Sequence, residues 1–290
     1  MRDWHDLYPY SFKEIFIQNL RYHYVDEGIG APLLMVHGNP TWSFYWRNLI
    51  DAFKGNYRVV APDHIGCGLS AMPSKKEYPF TLQRRIDDLV ELILKLDLKD
   101  ITLIAHDWGG AIGLGAAQRV PERFARFVLC NTGAFRFNRC PWRIRVCRVP
   151  IFGDIAIKGF NAFARGAVRM ATCRRERMTR EVRGGLLAPY NSWRNRTATH
   201  EFVRDIPLSK KDRSYETLVR IENDLAKFRN HPVCLIWGMK DWCFTPEFME
   251  RFQYFFPQAE IYPFNDAGHY VVEDAFERMI PIIDDFIKKG

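Results

Sequence analysis

The chain has 290 residues, of which 47% are hydrophobic and 26% are charged, and its formal net charge at pH 7 is +8. This length suits one α/β domain that carries an insertion, and the composition excludes a disordered or fibrous chain. Because no apolar run reaches the roughly 18 residues of a membrane-spanning helix and the start lacks the layout of a signal peptide, we expect a cytoplasmic protein without a transmembrane segment.

The predicted strands begin with two alternating runs and continue with six buried ones. Apolar and polar residues alternate in FKEIFIQN and LRYHYVD, a pattern that predicts an antiparallel hairpin. Nearly continuous aliphatic runs are typical of parallel strands that are buried on both faces. These runs are PLLMVHG, YRVVAPD, ITLIAHD, FVLCNT, PVCLIWG and AEIYPF. We therefore expect a mostly parallel sheet of eight strands.

Helical patterns separate these runs. They are WSFYWRNLIDAFK, TLQRRIDDLVELILKLDL, GGAIGLGAAQRV, TPEFMERFQYFF and EDAFERMIPIIDDFIKK. In the second pattern, apolar residues recur at three- and four-residue spacings from Leu82 to Leu96, which gives the helix a single apolar stripe. Strands that alternate with helices predict βαβ units, with helices on both faces of the sheet.

The alternation of strands and helices stops between residues 134 and 211. The segments GDIAIKGFNAFARGAVRMA and TREVRGGLLAPYNSW have helical and loop-like patterns, and no strong strand pattern occurs there. We predict that residues 134–211 form a helical cap inserted into an α/β core made of residues 1–133 and 212–290. Ligands of open α/β sheets bind beyond the carboxyl ends of the strands, so an insertion at this position would cover the ligand site.

The excess positive charge lies in the same insertion. Residues 136–211 contain 18 lysines and arginines against five acidic residues, whereas the rest of the chain contains 24 against 29. This excess is typical either of a solvated face or of a surface that contacts a partner, which could be an acidic protein, a second copy of the chain, or an anionic membrane in a peripheral contact. Because no recognised reading motif accompanies the charge, we expect no specific binding of nucleic acid.

The cysteines predict neither disulfides nor a metal site. There are seven of them, at positions 67, 130, 140, 147, 173, 234 and 243, and no two form a CxxC pair. An odd set of scattered cysteines is typical of reduced, packed thiols.

Polar residues follow several of the predicted strands, and Asp107 is the first candidate for chemistry. It ends ITLIAHD and has the small residues Ala105 and Gly109 two positions to either side. Such a pattern is typical of a strained strand-to-helix turn that projects its central side chain into a ligand site, as a nucleophile requires. The alternative interpretation is an ordinary helix N-cap.

Three further candidates follow other strands. His269 in NDAGHYVVED follows the last predicted strand, and Asp241 in LIWGMKDWCFTPE follows the one before it. Each alone could be a loop histidine or a helix-initiating aspartate, but nucleophile, acid and histidine in this order, each at a strand end, form the α/β-hydrolase pattern. The loop HGNP after PLLMV would supply a second oxyanion donor near Asn39, with Pro40 fixing its path through a cis bond.

The motifs HGNPTWSFYWR, PDHIGCGLS, AHDWGGAIG, WGMKDWCFTP and AGHYVVEDA together resemble those of haloalkane dehalogenases, in particular the third subfamily. The resemblance implies the α/β-hydrolase fold, with Asp107 as nucleophile, His269 as base and Asp241 as the triad acid. It also implies that Asn39 and Trp108 hold the leaving halide. The same motifs are similar to β-lactone decarboxylases of bacterial olefin synthesis, and the cap segments NAFAR, LAPYNSW and FVRDIPL fit that branch at least as well.

An aspartate in the nucleophile position indicates chemistry at a saturated carbon. Serine would form an ether there, whereas a carboxylate forms an ester that water, activated by His269, can open while backbone N–H groups stabilise the oxyanion. The first expectation is therefore hydrolytic dehalogenation of haloalkanes to alcohol and halide through an aspartyl-alkyl ester. The alternative is decarboxylation of cis-3,4-dialkyl β-lactones to long-chain alkenes, in which the side-chain donors of Asn39 and Trp108 would hold a carboxylate. Both small apolar substrates react without a metal or an organic cofactor.

Three other functions agree less well with the residues. An epoxide hydrolase needs two cap tyrosines, and residues 134–211 contain only Tyr190. A fluoroacetate-type dehalogenase needs arginines after YRVVAPD, where this chain has His64-Ile65-Gly66. A non-catalytic partner-binding protein is disfavoured because nucleophile, base, acid and both donors are all present.

Overall fold

The computed structural model describes residues 3–137 and 140–289. The strands are β1 Lys13–Ile17, β2 Leu20–Glu27, β3 Pro32–Val36, β4 Arg58–Pro62, β5 Ile101–Asp107, β6 Phe124–Thr132, β7 Val233–Gly238 and β8 Glu260–Phe264. They form one sheet in the order β1-β2-β4-β3-β5-β6-β7-β8. The pairs β1–β2 and β2–β4 are antiparallel and the remaining pairs are parallel, which confirms the expected fold class.

Both faces of the sheet are buried. In β3 all five residues are buried, with Leu34 and Val36 in one core cluster and Leu33 and Met35 in the other. Successive side chains of a strand point to opposite faces, so two hydrophobic layers require an unbroken apolar run. The same requirement explains the apolar run of β5, whose seven residues are all buried.

Helices cover both faces. Their bounds are α1 Arg47–Phe53, α2 Leu82–Lys95, α3 Trp108–Arg119, α4 Trp142–Cys147, α5 Ala162–Met170, α6 Arg180–Leu187, α7 Thr197–Arg204, α8 Tyr215–Asp224, α9 Pro246–Phe255 and α10 Val271–Lys289. Helices α2, α3, α8 and α9 pack in one core cluster, and α1 and α10 pack in the other. Among the helices in the described ranges, none combines the length and the apolar character that a bilayer crossing requires.

The expected stripe on α2 packs as predicted. Leu82, Ile86, Leu89 and Ile93 are buried in the first core cluster, where α2 packs mainly against α3 and also against β1. The Thr81 hydroxyl caps the helix by accepting the N–H of Arg84 at 3.3 Å. The single apolar face thus packs the helix on α3 and the sheet, and the cap satisfies a backbone N–H at its start.

Between β6 and β7 the described residues form helices and loops without a strand. Helices α4 to α7 lie in this stretch, together with a six-residue π-helix, Asp154–Gly159. The cap limits at residues 134 and 211 stay a prediction. Helix α8 was not expected from the sequence, and its buried residues Leu218 and Ile221 pack on the core.

Candidate active site

The turn between β5 and α3 holds Asp107 in a strained conformation. Its φ is 53° and its ψ is −125°, and the next residue starts α3. Positive φ outside glycine persists only where the surroundings enforce it. Close packing enforces it here: a Cβ at Gly109 would overlap the backbone of Val36, and a Cβ at Gly38 would overlap the Asp107 carboxylate. Asp107 occupies the N-cap position of α3, but its side chain makes no capping hydrogen bond, which disfavours an ordinary N-cap role.

Two backbone N–H groups converge on the Asp107 carboxylate. The N–H of Asn39 donates to Oδ1 at 2.6 Å, and the N–H of the adjacent Trp108 acts on the same carboxyl by lowering its pKa. The Asn39–Pro40 peptide bond is cis, as the sequence suggested. Burial raises the pKa of Asp107, although His269 and the two N–H groups act against this shift. The carboxylate is therefore poorly solvated, which favours reactivity as a nucleophile.

His269 lies between two carboxylates. Its Nδ1 is 2.8 Å from Asp241 Oδ2, and its Nε2 is 3.7 Å from Asp107 Oδ2. A carboxylate partner at Nδ1 fixes the proton there and leaves Nε2 directed at Asp107. Burial acts to lower the pKa of His269, but Asp241 and then Asp107 outweigh it, so the pKa lies above its ordinary value.

Asn131, at the end of β6, supports Asp241 and was not expected to do so. Its Nδ2 donates to Asp241 Oδ2 and to the carbonyl of Gly238, both at 3.0 Å. The N–H of Cys243 donates to the other oxygen of Asp241 at 2.6 Å. These bonds hold the carboxylate in one orientation toward the imidazole. The signal in the sequence was the asparagine that interrupts FVLCNT.

His106 is a second supporting residue that the sequence did not reveal. It is fully buried beneath the site, and its Nε2 lies 2.8 Å from the carbonyl of His269. The two imidazole rings are 4.7 Å apart. Burial lowers the pKa of His106 well below its ordinary value, so the ring is neutral and its Nε2–H can donate to that carbonyl.

The side chains of Trp108 and Asn39, which were expected to bind an anion, differ in how many of their N–H groups already donate within the described part of the protein. The indole N–H of Trp108 has no acceptor among the described residues, and the ring packs 5.4 Å from that of Phe202. Asn39 Nδ2 donates to the carbonyl of Thr199 at 3.2 Å, while its Oδ1 is buried without a partner. Because an amide nitrogen carries two hydrogens, one remains for a ligand.

These groups open into a cavity of about 260 Å³. Its polar side chains include Asn39, Asp107, Trp108 and His269, and most of the lining is apolar. The apolar lining includes Phe135, Ile144, Phe163, Ala167, Val203, Leu218, Phe244 and Phe248. A few convergent polar groups in an apolar pocket are typical of a small-molecule site. In the described part of the chain, no cluster of histidine, cysteine and acidic side chains could hold a metal ion.

The single tyrosine of residues 134–211 lies outside the cavity. Tyr190 is buried, and its hydroxyl donates to the carbonyl of Thr41 at 3.1 Å. The described cavity lining contains no tyrosine at all. A phenol that could protonate an epoxide oxygen is therefore missing from the described lining.

Comparisons with known proteins agree with this architecture. The chain matches the family model of the alpha/beta hydrolase fold over residues 31–276. It is 44% identical to a cis-3-alkyl-4-alkyloxetan-2-one decarboxylase of Shewanella oneidensis, covering 91% of this chain and 84% of that protein. It is 31% identical to haloalkane dehalogenase 2 of Mycobacterium tuberculosis, and the match covers 96% of this chain and 95% of that protein.

A solved structure shows the same fold. The haloalkane dehalogenase of Agrobacterium tumefaciens C58 superposes with a TM-score of 0.84 over 96% of each chain, at 23% sequence identity. Together with the family match, this likeness covers the sheet and the described helices between its strands. The protein is therefore an enzyme of the α/β-hydrolase family.

Proposed function

We propose that the protein decarboxylates cis-3,4-dialkyl β-lactones to alkenes, with Asp107, His269 and Asp241 as its catalytic triad. The observation that carries the proposal is a carboxylate, in place of a hydroxyl, on the strained turn at the base of an apolar cavity. The choice of a β-lactone over a haloalkane rests on the relatives, since identity is 44% to the decarboxylase and 31% to the dehalogenase.

The cavity suits a substrate with two alkyl chains and one polar ring. Side chains of the proposed cap, such as Ile144 and Phe163, face core side chains such as Phe244 and Phe248 across it. Burial of alkyl chains there contributes about 25 cal/mol per Å² of apolar surface removed from water. The ring would lie beside Asp107, within reach of the unpaired indole N–H of Trp108.

The reaction proceeds in two steps. In the first, an oxygen of Asp107 attacks the saturated ring carbon that bears the ring oxygen, the carbon–oxygen bond breaks, and a free carboxylate and an alkyl ester of Asp107 result. In the second, the bond to the carboxylate carbon breaks, its electron pair forms the alkene, and the ester oxygen leaves as the Asp107 carboxylate. Lactone becomes alkene and carbon dioxide, with no water consumed.

His269 acts in this reaction as a charge and not as a base. Its raised pKa increases the imidazolium fraction beside Asp107, and Asp241 stabilises that charge. An imidazolium and the Trp108 indole N–H together offset the negative charge of the released carboxylate in a site of low polarity.

Dehalogenation stays as a second candidate because one observation favours it. The N–H of Asn39 donates to the Asp107 carboxylate itself and the N–H of Trp108 lowers the pKa of the same group, so both act where an oxyanion would form during hydrolysis of an aspartyl ester. Only the hydrolytic route uses such a pair. In that route the neutral Nε2 of His269 would activate water.

A product assay separates the two candidates. The purified enzyme is incubated with a long-chain cis-3,4-dialkyl β-lactone and, in parallel, with 1-bromohexane. We expect alkene and carbon dioxide in equal amounts, with a kcat/KM for bromide release at least about a hundredfold lower, since about 2.7 kcal/mol of transition-state discrimination suffices. Bromide release without alkene formation would overturn the proposal in favour of dehalogenation.

A further inference from the structure

Exposed apolar side chains are concentrated in one part of the cap. Of the fourteen exposed large hydrophobic residues among those described, seven fall within residues 142–160. Exposure reaches 69% for Trp142, 74% for Ile151 and 68% for Phe160. We call these residues, together with Trp193, the cap apolar face: Trp142, Val146, Val149, Ile151, Phe152, Ile155, Phe160 and Trp193. A contiguous exposed apolar patch on a monomer marks an interaction site.

The cap apolar face is continuous from α4 through the π-helix. The π-helix packs against α4 and against the turn that carries Trp193. A Cβ at Gly159 would lie within 4 Å of both Trp193 and Ile155, and Lys158 Nζ is 4.7 Å from the centroid of the Trp193 ring. Exposed tryptophans such as Trp142 and Trp193 are residues that water–lipid interfaces favour.

Helices α4 and α5, which pack against the π-helix, carry arginines without acidic partners. Arg143 and Arg145 on α4 and Arg165 and Arg169 on α5 are exposed, and none forms an ion pair with a described residue. Asp154 is the single acidic residue between positions 142 and 175, and it already lies 3.6 Å from Lys158 and 3.3 Å from His200. The surface is therefore both apolar and strongly cationic.

The same two helices form a wall of the active-site cavity. The cavity is lined from α4 by Arg143 and Cys147 and from α5 by Phe163 and Met170. Met170 is also 46% exposed. A ligand bound at the cap apolar face would thus be separated from the cavity only by side chains of α4 and α5.

We propose that the cap apolar face docks the enzyme on an anionic lipid bilayer. Aromatic and aliphatic side chains would insert among the acyl chains, and the four unpaired arginines would contact anionic headgroups. A second copy fits this face poorly, because a symmetric contact would place the same arginines opposite one another. Docking does not depend on which reaction the active site catalyses.

Vesicle co-sedimentation of the full chain tests the proposal. The vesicles are phosphatidylcholine alone, or phosphatidylcholine mixed with phosphatidylglycerol, each at low and at high salt. We expect binding to the anionic vesicles at least about tenfold tighter than to the neutral ones, and weaker binding at high salt because the headgroup contacts are screened. Equal binding to both, or binding to neither, overturns the proposal.

Matched variants locate the contact. One double variant, Arg145→Glu with Arg169→Glu, changes the cap. The control double variant, Lys76→Glu with Arg229→Glu, makes the same change of charge at exposed positions outside the cap. We expect the cap pair to weaken anionic binding at least about tenfold and the control pair to leave it within about threefold. Equal effects of the two pairs would mean that net charge alone drives binding and would overturn the assignment to this face.

The apolar contribution is tested in the same way. Phe152→Ser with Phe160→Ser is compared with Phe12→Ser and Tyr254→Ser, which are exposed elsewhere. We expect only the cap pair to reduce vesicle binding, with circular dichroism showing that both variants are folded. The proposal fails if the wild-type protein does not bind vesicles and instead forms an oligomer that the double substitution Phe152→Ser and Phe160→Ser dissociates. The cap apolar face would then be an interface between copies of the chain.

Discussion

At Asp107, the proposed nucleophile, a buried carboxylate lowers the stability of the fold. The side chain is 6% exposed on a backbone with φ of 53°, and burial raises its pKa. A raised carboxyl pKa means that the folded state binds this proton more tightly than the unfolded chain. The contribution of Asp107 to the free energy of unfolding therefore falls as the pH rises above the ordinary aspartate value, and at neutral pH the ionised carboxylate destabilises the fold.

We accordingly expect Asp107→Asn, which keeps the shape and removes the charge, to raise the Tm at pH 7 by about 2–4 °C, the shift that about 1 kcal/mol produces in a large domain. Thermal unfolding followed by circular dichroism measures it. The difference from wild type should shrink as the pH is lowered toward the ordinary aspartate pKa. A lower Tm for Asp107→Asn at pH 7 would contradict the inferred cost of the buried charge.

The charge of His269 depends on Asp241. Burial alone lowers an imidazole pKa, and in wild type the neighbouring carboxylates reverse that effect. We expect an NMR titration to place the pKa of His269 above 6.5 in wild type and below 6.5 in Asp241→Asn, with His269→Gln assigning the signal. The stability that this raised pKa contributes is fully present below the unfolded-state pKa and is lost as the pH rises through the folded one. An unchanged pKa in Asp241→Asn would exclude Asp241 as the charge partner.

How far single residues could be predicted depended on where their partners lie. Asp107, Asp241 and His269 stand at strand ends, and parallel strands bring such ends to one edge, so their proximity followed from the order of strands. Asn131 and His106 bond to the backbone of Gly238 and of His269, which are 107 and 163 positions away. No side-chain pattern signals a backbone acceptor at such a distance.

At the scale of elements, one buried ion pair joins helix α7 to the core. Asp205, directly after α7, accepts the N–H of Leu82 at 2.8 Å and the Ser214 hydroxyl at 2.7 Å. The buried guanidinium of Arg85 lies 3.9 Å from the same carboxylate and 3.6 Å from the centroid of the Phe202 ring, and its nitrogens have no hydrogen-bond partner. Arg85 therefore depends on Asp205 for compensation of its charge.

Removal of that carboxylate tests the junction. We expect Asp205→Ala to lower the free energy of unfolding by about 3–5 kcal/mol, because it leaves the Arg85 charge buried and unpaired. Arg85→Met keeps the apolar contact with Phe202, so the double variant should lose less stability than Asp205→Ala alone. Urea unfolding of the three variants measures this. A loss below about 1 kcal/mol for Asp205→Ala would show that the pair does not hold α7 in place.

Strands could be predicted better than the helices of the insertion. A strand buried on both faces carries a nearly continuous apolar run, and β3, β5 and β7 show such runs directly. Helix α8 buries only a few apolar residues among charged ones, so SYETLVRIEND carried a weak signal. The insertion breaks its helical pattern at Asn161, whose φ of 53° ends the π-helix before α5 begins. That break depends on local backbone geometry that periodicity does not encode.

For the whole molecule, composition predicted where the charge lies but not what surrounds it. The excess of lysine and arginine in residues 136–211 is visible in the sequence. The sequence does not show which apolar residues of α4 face outward. Ile144 is buried, whereas Trp142 on the same short helix is 69% exposed. The cap apolar face emerges only when the helix is placed against α7 and the π-helix.

If the Asp107 carboxylate performs the chemistry, its loss must abolish the reaction, and the kcat/KM for alkene formation from a cis-3,4-dialkyl β-lactone measures that loss. Wild type is compared with Asp107→Asn, whose expected gain in Tm separates loss of activity from loss of fold. We predict a decrease on the order of 10⁴-fold or more, as removal of a nucleophile produces. Activity of Asp107→Asn within about tenfold of wild type would contradict the account.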